Sequence, residues 1–164
     1  MKKILFAGAL TLAALQMNAE ESKVIRISTD QTDLILKVGE NGRLYQTYLG
    51  EKLLHEADVN RFSWDIHAGS DGSISQRGWE VYSGSGNEDY FEPAVAITHN
   101  DGNTSTYLYY VSSSTSPVEG GTQTTINLRD DKYPVDVTLH YVAYPKENVI
   151  KTWSEIKHQE KKPI

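Results

Sequence analysis

Residues 133–158 read YPVDVTLHYVAYPKENVIKTWSEIKH, and their alternation decides the fold class. Val135, Val137, Leu139, Tyr141 and Ala143 fall on one side of an extended chain, with Asp136, Thr138 and His140 on the other. A period of two, rich in β-branched and aromatic residues, describes a strand with one buried face. Pro145 to Asn148 makes a turn, and Val149 to Lys157 returns antiparallel to the first arm. Gly121 to Arg129 precedes this hairpin as a further strand, turning at Asp130 and Asp131. Further upstream, Ala94 to His99 is expected to pair with Thr106 to Ser112 (TYLYYVS) across the turn HNDGN. The serine run that follows, Ser112 to Ser116, reads as a solvated connector.

The front of the chain repeats the pattern. Val24, Ile27, Leu34, Leu36 and Val38 alternate with polar residues. The Asn-Gly pair of GENG, 39–42, then reverses the chain into LYQTYL at 44–49, a second hairpin. Lys52 to His55 is expected to extend this meander. Nowhere do apolar residues recur at the i, i+3, i+4, i+7 spacing of a surface helix. Strands recurring at roughly 8–12 residue spacing between turn signals indicate an all-β, antiparallel β-sandwich.

Residues 57–92 break the alternation and are dense in Asp, Gly, Ser and aromatics. Within and beyond them, RGWEVYSGSGNEDYFEPAVAI at 77–97 joins a glycine-rich turn to Trp79, Tyr82, Tyr90 and Phe91. Glycines let the backbone reverse tightly and project such aromatics. An aromatic ring beside acids and amides is the chemistry that holds a sugar. The competing reading is a loop that tucks the same rings into the sandwich core.

Residues 1–19 carry Lys2 and Lys3, an apolar run from Ile4 to Leu15, and small Ala19 ahead of Glu20 and Glu21, the pattern of a secretory signal peptide. The run is short of the ~20 apolar residues that span a bilayer. Export to the periplasm or the extracellular space is therefore expected, with residues 20–164 forming one domain. The chain has no cysteine, so buried apolar area and sheet hydrogen bonds must carry its stability. Its formal charge is −6, which opposes binding to nucleic acid or anionic lipid, and neither is expected as a partner.

Three segments together resemble the amino-terminal region of bacterial glycoside hydrolase family 36 α-galactosidases: GNEDYFEPAVAI at 86–97, residues 133–158, and LILKVGENGRLYQTYLGEKLL at 34–54. The resemblance covers nearly all of the chain after residue 19. It implies part of a β-supersandwich that precedes a (β/α) barrel, the barrel carrying two catalytic aspartates. The chain ends before any barrel, so the sandwich is expected to be incomplete at its carboxyl-terminal side. The implied reaction is retaining hydrolysis of a terminal α-linked galactose, in which one carboxylate attacks the anomeric carbon and another acts as acid and then base. No acid in this chain inherits either role, and no catalytic residue is expected.

The resemblance also implies a homo-oligomer in which an amino-terminal loop reaches toward a neighbouring active site. Trp64, Asp65, Trp79 and Asp89 are the candidates to line that sugar pocket, with galactose-containing oligosaccharides as the partners. A free-standing carbohydrate-binding sandwich is the alternative. His55, His67, His99, His140 and His158 lack the close spacing of a zinc site, and Asp101-Gly102 lacks the alternating acids of a calcium loop. No metal or cofactor is expected. Adjacent acids such as Glu88-Asp89 and Asp130-Asp131 read as turn residues.

Overall fold

The structure, a computed structural model, describes residues 23–61, 79–86 and 92–164. Among them are two four-stranded antiparallel sheets in which every strand pairs with its successor in the chain. The first sheet contains β1 (Val24–Ser28), β2 (Thr32–Val38), β3 (Leu44–Glu51) and the two-residue β4 (Trp79–Glu80), with a single helical turn, α1 (Glu56–Val59), between β3 and β4. The second contains β5 (Leu108–Val118), β6 (Gly121–Asp130), β7 (Val135–Tyr144) and β8 (Val149–His158). The expected all-β antiparallel sandwich is what forms.

The alternation in β7 explains the packing. Val135, Val137, Leu139, Tyr141 and Ala143 are all buried. They continue into a core shared with Ile126 and Leu128 of β6 and with Ile25, Ile27, Leu34, Leu36 and Leu44 of the first sheet. Each fully buried Val, Leu or Ile among them contributes about 1.5–3 kcal/mol by leaving water. Leu34 and Leu36 join this core, and Ile35 between them, on the opposite face of β2, is buried as well.

Turn chemistry follows the residues expected to supply it. Gly42 adopts φ 76°, and its N–H donates to the Gly39 carbonyl at 2.8 Å while Gly39 N–H donates to Arg43 O at 2.9 Å. Gly42 O in turn accepts from Tyr110 N–H at 2.8 Å, which ties the first hairpin to the second sheet. In the β7–β8 turn Asn148 takes φ 53°, a left-handed conformation that asparagine tolerates, and its side-chain oxygen accepts from the Thr29 hydroxyl.

Three local expectations fail, for identifiable reasons. Residues 94–99 form no strand: Val95 makes one isolated bridge to Gly84, and Ile97 is buried as an irregular plug. The true partner of β5 is β6, in register from Leu108↔Asp130 to Val118↔Gly121. Ser112 to Pro117 is strand, not connector. That half of β5 buries neither face, so period-two alternation has nothing to record. Lys52 to His55 also leaves the sheet. It is held instead by Lys52 N–H on Gln31 O at 2.8 Å and Leu53 N–H on Asp33 Oδ2 at 2.8 Å.

Candidate functional site

The glycine-rich turn is built for close packing. Gly84 lies so near residue 106 that a Cβ would collide with the Thr106 carbonyl, and Gly86, at φ 75°, would meet Ser105 in the same way. Ser85 N–H donates to Val95 O at 3.0 Å and Ser85 O accepts from Thr106 N–H at 2.9 Å. Thus the turn clamps two irregular segments to the end of the sandwich. From that anchored turn the chain runs back through Tyr82 and Val81 to β4.

Tyr82 stands over a cleft. Among the described residues the first sheet covers β7 but leaves most inward side chains of β8 uncovered. The resulting space between the sheets measures about 650 Å³. Leu34, Leu139, Tyr141 and Ile150 form its apolar floor, and Gln46, Asn148, Thr152 and Ser154 its polar rim. The Tyr82 hydroxyl lies 3.3 Å from Ser154 Oγ, bridging the mouth from one sheet to the other. An apolar floor with a few convergent amides and hydroxyls fits a neutral polar ligand.

Among the described residues the cleft offers no acid–base pair. Glu80 is the carboxylate along its lining, and Arg43 engages both of its oxygens, Nε at 3.0 Å from Oε1 and Nη2 on Oε2. Burial pushes the Tyr141 phenol up to about 12, so it stays neutral at ordinary pH. Retaining hydrolysis calls for two carboxyl groups about 5–5.5 Å apart across a scissile bond. The cleft lining holds no such pair among the described residues. Among the described residues no three His, Asp or Glu side chains converge as metal ligands do.

Two further polar clusters brace the same domain. The buried Asp33 carboxylate accepts from Arg26 Nη2 at 2.6 Å, from the Ser28 hydroxyl at 2.5 Å and from Leu53 N–H. Burial pushes this carboxyl up, but those hydrogen bonds outweigh it and hold it below its ordinary value. At the other end, His99 is buried with its ring stacked on Tyr133 at 3.5 Å. Its Nδ1 lies 2.6 Å from Glu160 Oε1, and Glu160 Oε2 accepts from Asn100 N–H at 2.8 Å. The bond to His99 holds the Glu160 carboxyl below its usual range. Residues 160–162 are thereby clasped to the 99–103 turn.

Of the expected site residues, Trp79 opens β4, its backbone paired with that of Gln46. Trp64, Asp65 and Asp89 lie outside the described residues. Tyr82, one of the aromatics singled out at 77–97, does reach the cleft. Asn148, Thr152 and Ser154 were not legible as site residues. A turn asparagine and two hydroxyls on a strand become a rim only through the pairing of the two sheets.

Residues 42–164 match the family model described as the glycosyl hydrolase family 36 N-terminal domain. No curated protein sequence matches significantly. Among solved structures, the chain is similar to a variant of the family 36 α-galactosidase AgaA of Geobacillus stearothermophilus in complex with 1-deoxygalactonojirimycin, at 22% identity and a TM-score of 0.68, over 84% of this chain and 22% of that one. A further AgaA variant, in complex with stachyose, is similar at 20% identity and a TM-score of 0.70, with coverage of 84% and 22%. The α-galactosidase of Lactobacillus brevis is similar at 18% identity and a TM-score of 0.66, again over 84% and 22%. These likenesses show the fold, and the chain spans about a fifth of the length of each of these proteins.

Proposed function

The chain belongs to the glycosyl hydrolase family 36 N-terminal domain family, and on that premise we propose that it is the non-catalytic amino-terminal domain of a secreted α-galactosidase. The observation that carries this reading is the family match over residues 42–164. In the whole enzyme the nucleophile and the acid–base group belong to the barrel, and this domain supports the barrel and the oligomer. Galactose-containing oligosaccharides are the substrates. Trp64, Asp65, Trp79 and Asp89 reach the sugar pocket of the complete assembly, and residues 1–19 direct export.

Activity measurements test the reading directly. The chain, incubated with 4-nitrophenyl α-galactoside, is expected to show no turnover above buffer. Turnover by the chain itself would overturn the assignment of chemistry to the barrel. A second reading, a free-standing carbohydrate-binding module, draws on the Tyr82 cleft. It requires heat of binding with raffinose in calorimetry, abolished in Tyr82→Ala, and a flat titration removes it.

A further inference from the structure

The outer face of the β5–β8 sheet, opposite to the core and the cleft, carries an array that the proposed role does not use. Strand register sets its rows. Ser114, Thr125, His140 and Trp153 stand side by side across all four strands, a line of about 14 Å at the usual strand spacing. Ser112, Asn127, Thr138 and Glu155 form the next row, and Ser116, Gln123, Val142 and Lys151 the row on the other side.

The side chains in these rows are already joined. Asn127 Nδ2 donates to Ser112 Oγ at 3.0 Å, and the Thr138 hydroxyl donates to Asn127 Oδ1 at 3.2 Å. Gln123 Nε2 lies 3.2 Å from both Thr125 Oγ1 and His140 Nδ1. The imidazole stacks on Trp153, with centroids 4.7 Å apart and planes 11° from parallel, which fixes the indole on an edge strand. Trp153 is 37% exposed, an unusual position for so large an apolar surface with no described element over it. Lys151 and Glu155 flank it on the same face, the ammonium 5.2 Å from the ring centroid. His140 Nε2 is buried with no hydrogen-bond partner, 3.4 Å from the exposed Glu155 carboxylate.

We propose that this outer face binds a neutral saccharide chain, with Trp153 as the stacking platform and the His140 row as the hydrogen-bonding track. Within the three rows, charge is confined to the edge strand, while β5, β6 and β7 present hydroxyls, amides, one imidazole and the buried Val142. That composition selects a ligand that is polar, uncharged and extended, with apolar C–H faces for an indole. Lys151 and Glu155 add a donor and an acceptor on either side of the ring. A sugar hydroxyl that displaces the Glu155 chain gains the unpartnered Nε2. Trp153, on the edge strand, also borders the Tyr82 cleft, whereas His140, Thr125 and Ser114 of its row lie on the opposite face of the sheet, and the proposal does not depend on the galactosidase reading.

Native electrophoresis of the full chain through gels containing galactomannan, a neutral galactose-bearing polymer, tests this, with anionic polygalacturonate and a polymer-free gel alongside. Galactomannan is expected to retard the chain and polygalacturonate to leave it unaffected. Loss of the ring in Trp153→Ala is expected to weaken retardation about tenfold, the size of a good aromatic contact. Trp153→Tyr retains most of it. Ser114→Arg, on the far strand of the same row, also weakens it and leaves β8 untouched, so the outcome does not hang on one variant folding. Tyr82→Ala, in the cleft, leaves retardation unchanged. The proposal falls if galactomannan does not retard the chain, if Trp153→Ala and Ser114→Arg are retarded like the parent, or if polygalacturonate retards it equally. It also falls if sedimentation shows a dimer that Ser114→Arg dissociates, because the face is then an interface between copies.

Discussion

Leu139 and Ser154 face one another in register on the inner side of the same sheet, and Val137 faces Ile156 one step along. Leu139 and Val137 are 3% and 0% exposed, whereas Ile156, equally apolar, is 45% exposed. The two strands are hydrogen-bonded over ten residue pairs, so neither backbone regularity nor propensity separates them. What separates them is the element opposite. Among the described residues the first sheet packs over β7 and not over β8, so one strand becomes core and its neighbour the wall of a cleft. Burial is a property of the pair of surfaces, and a strand's own sequence states only half of it.

The sharpest way to break this comparison is Leu139→Ala, expected to cost about 3 kcal/mol as the transfer and cavity terms add, read from the midpoint of a urea transition. Asp33→Asn strips the paired charge from Arg26, Ser28 and Leu53 N–H and is expected to cost about 2 kcal/mol in the same measurement. Because the Asp33 and Glu160 carboxyls sit lower in the folded chain than when unfolded, the stability they add is present above about pH 4 and is lost as pH falls through their depressed values. Melting temperature should therefore hold from pH 7 to about 5 and fall on further acidification, with a shallower fall in Asp33→Asn.

Gly84→Ala forces a methyl group against the Thr106 carbonyl and is expected to cost about 1.5 kcal/mol, enough to lower the melting midpoint by several degrees. Ser154→Ala closes the series. Directly opposite Leu139 but open to solvent, it is expected to change stability by less than about 0.5 kcal/mol. A Ser154→Ala cost as large as that of Leu139→Ala would mean that the cleft wall is as tightly packed as the core.

Much of the fold was legible because half-buried strands write their burial into the sequence. Val135 through Ala143 and Leu34 through Val38 announce both period and inner face, and Asn41-Gly42 announces the reversal between β2 and β3. The outer half of β5 was not legible: Ser112 to Pro117 pairs with β6 but buries neither face, so its strand state rests on backbone hydrogen bonds to a partner. Residues 94–99 misled in the opposite way. Val95 and Ile97 alternate like a strand, yet they pack as an irregular plug beneath the glycine turn. Of the site, the sequence marked Tyr82 and the glycines beside it, while the rim of Asn148, Thr152 and Ser154 carries no local signal.

By itself the sequence determined the all-β class, most strand limits, the inner face of β7 and the absence of disulfide support, because each of these follows from spacing or composition within a short window. Only the tertiary structure decided which inner faces are covered, what the glycine-rich turn packs against, and that Tyr82 meets Ser154 across a cleft. Those depend on contacts between residues far apart in the chain. Tyr82 and Ser154 are 72 residues apart, and nothing in either neighbourhood encodes the other.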